Sequence, residues 1–200
     1  MALNPDNSKL LKITLGIIVL GVIATIALIV IAFNNYKQRH NPDNIAKLAA
    51  SMVVLPDPLP QGWKYSFLFQ GIHDTVDVRH GDTKSGLQFV RFSKIQNPKN
   101  LSAKQMIEQL TKSTLHLVTY ELDSEGDEIM GRQKAHYVRG LRRSAGIAQP
   151  IELALIQLND GSFLEIEMIE DNLKTYEPSL VKPMIDAIEG IVQPATSNNK

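Results

Sequence analysis
Cysteine is absent from the 200 residues, which excludes a disulfide framework, a thiol nucleophile, a thiolate metal site and lipid attachment through cysteine. Neither charge is in excess: 21 Lys and Arg stand against 21 Asp and Glu. A nucleic-acid partner calls for a basic excess or stripe to meet phosphates, so the balance argues against one, and there is no acidic tail. A Gly-rich phosphate loop, a G-x-S-x-G elbow and an H-E-x-x-H pair are all missing. The expectation is a non-enzymatic protein with no catalytic residues, no cofactor and no resident metal.

Long apolar runs are missing too, with one exception that organises the chain. Ile13 to Phe33 contains no charge, amide or proline. As a helix it would be about 31 Å long at about 1.5 Å per residue, which matches the hydrocarbon thickness of a bilayer. It exceeds the roughly 7–15 apolar residues of a cleavable signal peptide. The run therefore reads as a retained transmembrane helix, a signal-anchor. Lys9 and Lys12 before it nearly balance Lys37, Arg39 and Lys47 after it, and the short amino-terminal tail is read as staying inside while the large domain is exported. Gly21 and Thr25 form one small-x-x-x-small pair, which a span this rich in small residues contains by chance.

These features divide the chain into a tail over 1–12, a transmembrane helix over 13–33, a linker over 34–52, a globular domain over 53–192 and a polar tail over 193–200. In the linker, Asn41-Pro42-Asp43-Asn44 is helix-start chemistry. Ile45, Leu48, Ala49 and Met52 then recur at helical spacing and predict a short amphipathic helix joining anchor to domain. Pro56, Pro58 and Pro60 make a stiff spacer ahead of the first long strand.

The domain opens on alternation of period two. Trp63, Tyr65, Phe67 and Phe69 are predicted to share one face of a strand, with Leu68 as the apolar exception on the other. Strands are predicted over 75–79 and 87–93. Ser102 and Gln105 have the form of a capping box and start a helix that turns Met106, Ile107 and Leu110 inward, with Thr114 and Leu115 continuing that face. A strand over 117–122 precedes the acidic stretch Asp123-Ser124-Glu125-Gly126-Asp127-Glu128, which reads as a solvated turn and lacks the ligand spacing of an EF-hand. Further strands are predicted over 134–141, 151–158 and 163–169, the last two joined by the hairpin signal Asn159-Asp160-Gly161-Ser162. Glu165 and Glu167 oppose Leu164, Ile166 and Met168, so one sheet face should be wet or covered by polar loops. A final helix should bury Leu180, Val181, Met184, Ile185, Ile188 and Ile191, with Pro178 in its first turn and Pro183 delaying or kinking it.

Two clusters are candidate sites. His73, Asp74, Asp77 and His80 are the densest set of metal-ligand types. On an extended strand His73 and Asp77 would share a face but stand about 13 Å apart, so a polar strand end is the better reading. His116 and His136 are isolated, and Ser102 and Ser162 have capping and turn roles. Arg132, Lys134, Arg139, Arg142 and Arg143 form the one local basic cluster, a candidate surface for an anionic partner.

The order of strands, helix, strands and helix gives an α+β fold with helices packed on a mainly antiparallel sheet. Leu59-Pro60-Gln61-Gly62-Trp63, Gly131-Arg132-Gln133-Lys134-Ala135-His136-Tyr137 and Asn159-Asp160-Gly161-Ser162-Phe163-Leu164 resemble the PsbP-like family over about residues 53–192. That family includes an extrinsic photosystem II subunit, an import factor that binds a Ran-type GTPase, and bacterial envelope proteins. The resemblance implies an α/β/α sandwich that binds or assembles and does not catalyse. It implies a membrane-associated protein partner, and a bacterial inner-membrane location with the carboxy-terminal domain exported. None of the family's metal or cofactor residues maps onto this chain. The alternative is a module that holds a small apolar or lipidic ligand between sheet and helix.

Overall fold
The computed structural model describes residues 5–70, 73–82, 86–112, 118–144, 146–170 and 178–194. The chain divides into two compact units, Met1–Arg39 and His40–Lys200. The first is one helix, α1 (Pro5–Arg39). Its stretch Ile17–Arg39 is long and apolar enough to cross a membrane, and its large apolar side chains from Ile17 to Phe33 are all exposed. Within it, the Thr25 hydroxyl donates to the Gly21 carbonyl at 2.9 Å, so that small pair is engaged inside its own helix. Lys37 lies over the Phe33 ring, 4.8 Å from its centroid.

The second unit begins with α2 (Pro42–Ala50), capped as its sequence predicts: the Asn41 side chain accepts from the Asp43 N–H at 2.9 Å, and Pro42 occupies the first turn, where no N–H is needed. α2 is not the linker helix that its position predicts. It is part of the domain's core, with Ile45, Leu48, Ala49 and Met52 buried in the same cluster as Val76, Val90 and Phe92. Its apolar stripe fits the sheet well enough that burial outweighs any spacer role.

After β1 (Val53–Val54) come β2 (Trp63–Phe69), β3 (Thr75–Asp82), β4 (Gly86–Ile95), α3 (Ala103–Lys112), β5 (Val118–Met130), β6 (Gln133–Ser144), β7 (Ile147–Gln157), β8 (Phe163–Glu170), α4 (Pro178–Asp186) and β9 (Gly190–Ile191). Seven strands form one sheet in the order β2-β3-β4-β8-β7-β6-β5, and every neighbouring pair is antiparallel. The fold is thus α+β: an amino-terminal apolar helix, then a mainly antiparallel sheet with helices packed on it. α2 and α4 cover one face, over a core that includes Phe92, Leu164, Ile166, Met168, Val181 and Met184. α3 covers part of the other, where Met106 and Ile107 meet Val138, Leu153, Leu155 and Phe163.

Several local readings hold. Ser102 and Gln105 form the reciprocal capping box, with the Gln105 N–H donating to the Ser102 hydroxyl at 3.3 Å and the Ser102 N–H donating to the Gln105 side chain at 3.0 Å. The β7–β8 hairpin closes on an Asp160 carboxylate that accepts from the Ser162 N–H at 3.0 Å. The inward positions expected at Thr114 and Leu115, the strand start expected at Leu117 and the isolated His116 lie outside the described residues.

Others are corrected. The acidic stretch Asp123 to Glu128 is not a turn; it continues β5, and the reversal comes at Gly131 and Arg132, with φ of 52° and 66°, the pair of positive values that suits a two-residue hairpin. The final helix stops at Asp186. Ile191 lies in β9, paired with Val53 of β1, and the Glu189 N–H donates to the Val54 carbonyl at 2.9 Å. Glu189 and Gly190 interrupt the apolar periodicity, and pairing with β1 satisfies backbone groups that the helix would otherwise leave open.

Candidate functional site: a groove on the α3 face of the sheet
Strand register sorts every side chain to one of two faces. On β2 the register shifts between Tyr65 and Phe67. This bulge places Ser66 as the extra residue and reverses the alternation. Trp63, Tyr65 and Leu68 therefore face the large core under α2 and α4, whereas Phe67 and Phe69 face the α3 side. The four aromatics do not share a face, and Leu68 is no exception to the pattern.

Phe67 and Phe69 form one wall of a groove with a volume of about 410 Å³. Its floor is a polar ladder across β3, β4 and β8. In one rung, Asp77, Arg91 and Glu167 stand side by side in register. Arg91 grips Asp77 at two points, Nε to Oδ1 at 2.7 Å and Nη2 to Oδ2 at 2.9 Å, and reaches Glu167 through Nη1 at 3.1 Å. The two carboxylates hold the guanidinium charged well above its usual range. In the next rung Thr75, Ser93 and Glu165 are neighbours, with the Thr75 and Ser93 hydroxyls 3.2 Å apart. Burial, and secondarily the charge of Glu167, push the Glu165 carboxyl up to about 7, against opposing contributions from Arg91 and a hydrogen bond with Ser93. The polar face foreseen from Glu165 and Glu167 is this ladder, recessed from solvent.

The far wall comes from the other end of the sheet. Tyr120 of β5 lies opposite Arg142 of β6. Burial raises the Tyr120 phenol above its ordinary value, with the Glu167 charge adding to it, and a hydrogen bond to Arg142 acts the other way. Arg142 is half-buried, and its Nε is buried with no hydrogen-bond partner.

The five basic residues of the sequence cluster are not gathered into one patch. Arg132 is exposed in the β5–β6 turn. Lys134 pairs with Asp127 at 2.8 Å. Arg139, on the α2/α4 face, binds Glu152, itself 2 % exposed, and comes within 3.6 Å of Glu128. Arg143 holds Glu121 at 2.7 Å and 3.1 Å. Arg142 alone of the five turns into the groove. Alternation along β6 separates Arg142 from Arg139 and Arg143, and the acidic β5 alongside neutralises three of the set.

The possible metal ligands also separate. His73 lines the groove and Asp77 is committed to Arg91. His80 is on the opposite face, its ring 5.5 Å from that of Trp63 and its Nδ1 3.1 Å from Gln88. Among the described residues no group of three His, Asp or Glu could hold a metal ion. His136 sits 2.9 Å from Asp127.

Under α4, Glu128 is pushed up to about 7, first by burial and then by its hydrogen bond with Glu152 and that residue's charge. The adjoining cavity is about 140 Å³, too small for most organic ligands.

No protein-family model and no curated protein matches the chain. Among solved structures the chain is similar to cyanobacterial PsbP (CyanoP) of Synechocystis sp. PCC 6803, in solution, at 15% identity and a TM-score of 0.40, over 64% of this chain and 79% of that one.

Proposed function
We propose that the chain is a single-pass membrane protein whose domain is a non-enzymatic binding and assembly module, held at the bilayer surface by α1 and facing the exported side of a bacterial inner membrane. The groove carries this reading. It is open and half-apolar, and its acids are engaged with Arg91 and Ser93. Such a recess suits reception of a partner surface. The exposed apolar helix supports the tether, and the sequence resemblance to the PsbP-like family supports an assembly role. Of the basic residues singled out from sequence, Arg142 is the one this reading uses.

The test places a photoreactive residue at Phe69, 39% exposed, or at Val54, 44% exposed, in the full-length protein in its own membranes. A discrete protein adduct from position 69 and none from position 54 is the expected result. Equal labelling from both, or none, counts against a partner at the groove. A phosphatase reporter fused after Lys200 reads sidedness, with activity expected only on the exported side.

A second reading has its own support. A volume of about 410 Å³ lies in the range of roughly 300–1,000 Å³ typical of small-ligand sites, so the groove also suits a small, partly apolar molecule held between sheet and helix.

A further inference from the structure
Charges in the groove are unequally satisfied. Asp77 and Glu167 are spent on Arg91, and Glu165 is hydrogen-bonded to Ser93 and keeps its proton to about pH 7. Among the described residues of the groove no carboxylate is left over for a ligand cation. Arg142 differs from Arg91, Arg139 and Arg143, each of which holds at least one carboxylate. Among the described residues Arg142 has only the Tyr120 hydroxyl, and its buried Nε has no partner. A half-buried guanidinium with no counter-ion among the described residues has given up hydration that an incoming anion would replace, and carboxylates fit its planar donor fork at two points. The opposite wall is aromatic.

We infer that the groove is a receptor for a small amphipathic monocarboxylate, its carboxylate on Arg142 and Tyr120 and its apolar body against Phe67 and Phe69. The inference rests on the small-ligand reading of the groove and names the ligand class. Monovalency comes from the neighbours: Glu167, and Glu165 once it ionises, line the same recess and disfavour a second negative charge on the ligand. Among the described residues the charged and titratable groups facing the ligand are His73 before β3, Arg91 on β4 with Asp77 of β3 behind it, Tyr120 on β5, Arg142 on β6, and Glu165 and Glu167 on β8, while α3 contributes Leu110. Ionisation of Glu165 adds a negative charge, so affinity falls as pH rises through about 7.

The probes are 3-phenylpropionate, 3-phenyl-1-propanol and 3-phenylpropylammonium, measured by equilibrium dialysis against full-length protein in nanodiscs, with empty nanodiscs subtracted. The carboxylate should bind saturably at one site, at least about ten-fold tighter than the alcohol. Arg142→Ala, with its folded state checked by circular dichroism, should erase that preference, and Arg142→Lys should retain part of it. Alcohol binding as tight as the carboxylate, or a preference for the ammonium, overturns the monocarboxylate assignment while leaving the groove a ligand site. Failure of all three probes to bind the wild-type protein overturns both.

Discussion

Arg91 and Asp77 face each other across the β3–β4 ladder in a two-point ion pair, and the same guanidinium reaches Glu167 on β8. One side chain thus ties three adjacent strands together where the sheet face is polar. The Asp77 and Glu167 side chains are 10% and 9% exposed, and Arg91 is 35% exposed. Breaking a buried pair by removing one partner costs about 3–5 kcal/mol, and partial solvation of Arg91 lowers that. Arg91→Ala should destabilise the domain by about 2–3 kcal/mol in urea unfolding, because two recessed carboxylates lose their shared cation. Asp77→Asn should cost less, since Arg91 keeps Glu167. A loss below about 1 kcal/mol for Arg91→Ala would rank the triad with ordinary surface pairs.

Glu165 and Glu128 make stability depend on pH in the unusual direction for carboxyl groups. Unfolded, each would lose its proton near 4.5; folded, each keeps it to about 7. Between those values the folded state binds more protons than the unfolded one. Their contribution is therefore fully present below about 4.5 and is lost as pH rises to about 7. Exposed Glu121, Glu125 and Asp127, whose cationic partners hold them below their ordinary values, act oppositely and at lower pH. The melting temperature should decline from about pH 5 to about pH 7.5, and Glu165→Gln or Glu128→Gln should each flatten the decline. An unchanged slope in both variants would remove these carboxyls as its source.

The bulge on β2 makes Trp63 and Phe69 unequal, although alternation in sequence would treat them alike. Trp63 is 7% exposed within the large core, while Phe69 is 39% exposed on the groove wall. Trp63→Ala should cost about 3–5 kcal/mol, the usual range for a buried aromatic. Phe69→Ala should cost about 1–2 kcal/mol, less than Trp63→Ala because its ring is only partly buried, and show its effect in ligand or partner binding. Equal losses of stability would place both rings in one core.

Legibility of the fold in the sequence tracks the range of each interaction. Capping at Ser102 and Gln105, the Asp160 hairpin and the α3 stripe at Met106 and Ile107 are local, and the sequence reading finds them. Leu68 as an exception among alternating aromatics is the visible trace of the bulge, but one residue cannot tell a bulge from an irregular strand. The groove joins Phe67, Arg91, Tyr120, Arg142 and Glu165 from five strands, and its rungs depend on β4 pairing with β8, a register that no local pattern encodes. The basic cluster fails as a patch for the same reason, since its neutralising partners are Glu121, Asp127 and Glu128 on β5 and Glu152 on β7, two of them in the stretch that reads as an acidic turn. In that position Glu121, Glu125, Asp127 and Glu128 each find a cation across the ladder or on a packed helix, which makes an acidic strand tolerable.

Gly140 offers the sharpest test of the β5–β6 register. It pairs with Leu122 beside the register shift at Leu122 and Ser124. A Cβ built at Gly140 would lie 2.1 Å from the Glu121 carbonyl oxygen and 2.8 Å from the Leu122 Cα. Both obstacles are backbone, so no rotamer change relieves them, and the strands would have to separate locally. Gly140→Ala should therefore cost at least about 3 kcal/mol, the upper range for overpacking. The damage should extend to the groove, because Arg142 and Tyr120 lie just beyond on the same two strands. Gly146→Ala is the matched control: its φ is +80° but its Cβ would meet nothing within 4 Å, so only the left-handed backbone costs, about 1–2 kcal/mol. Unfolding free energies falling in the order wild type, Gly146→Ala, Gly140→Ala would support the close approach at the bulge. A Gly140→Ala variant as stable as Gly146→Ala would mean that β5 pairs with β6 in a different register, and the placement of Tyr120 opposite Arg142 would fall with it.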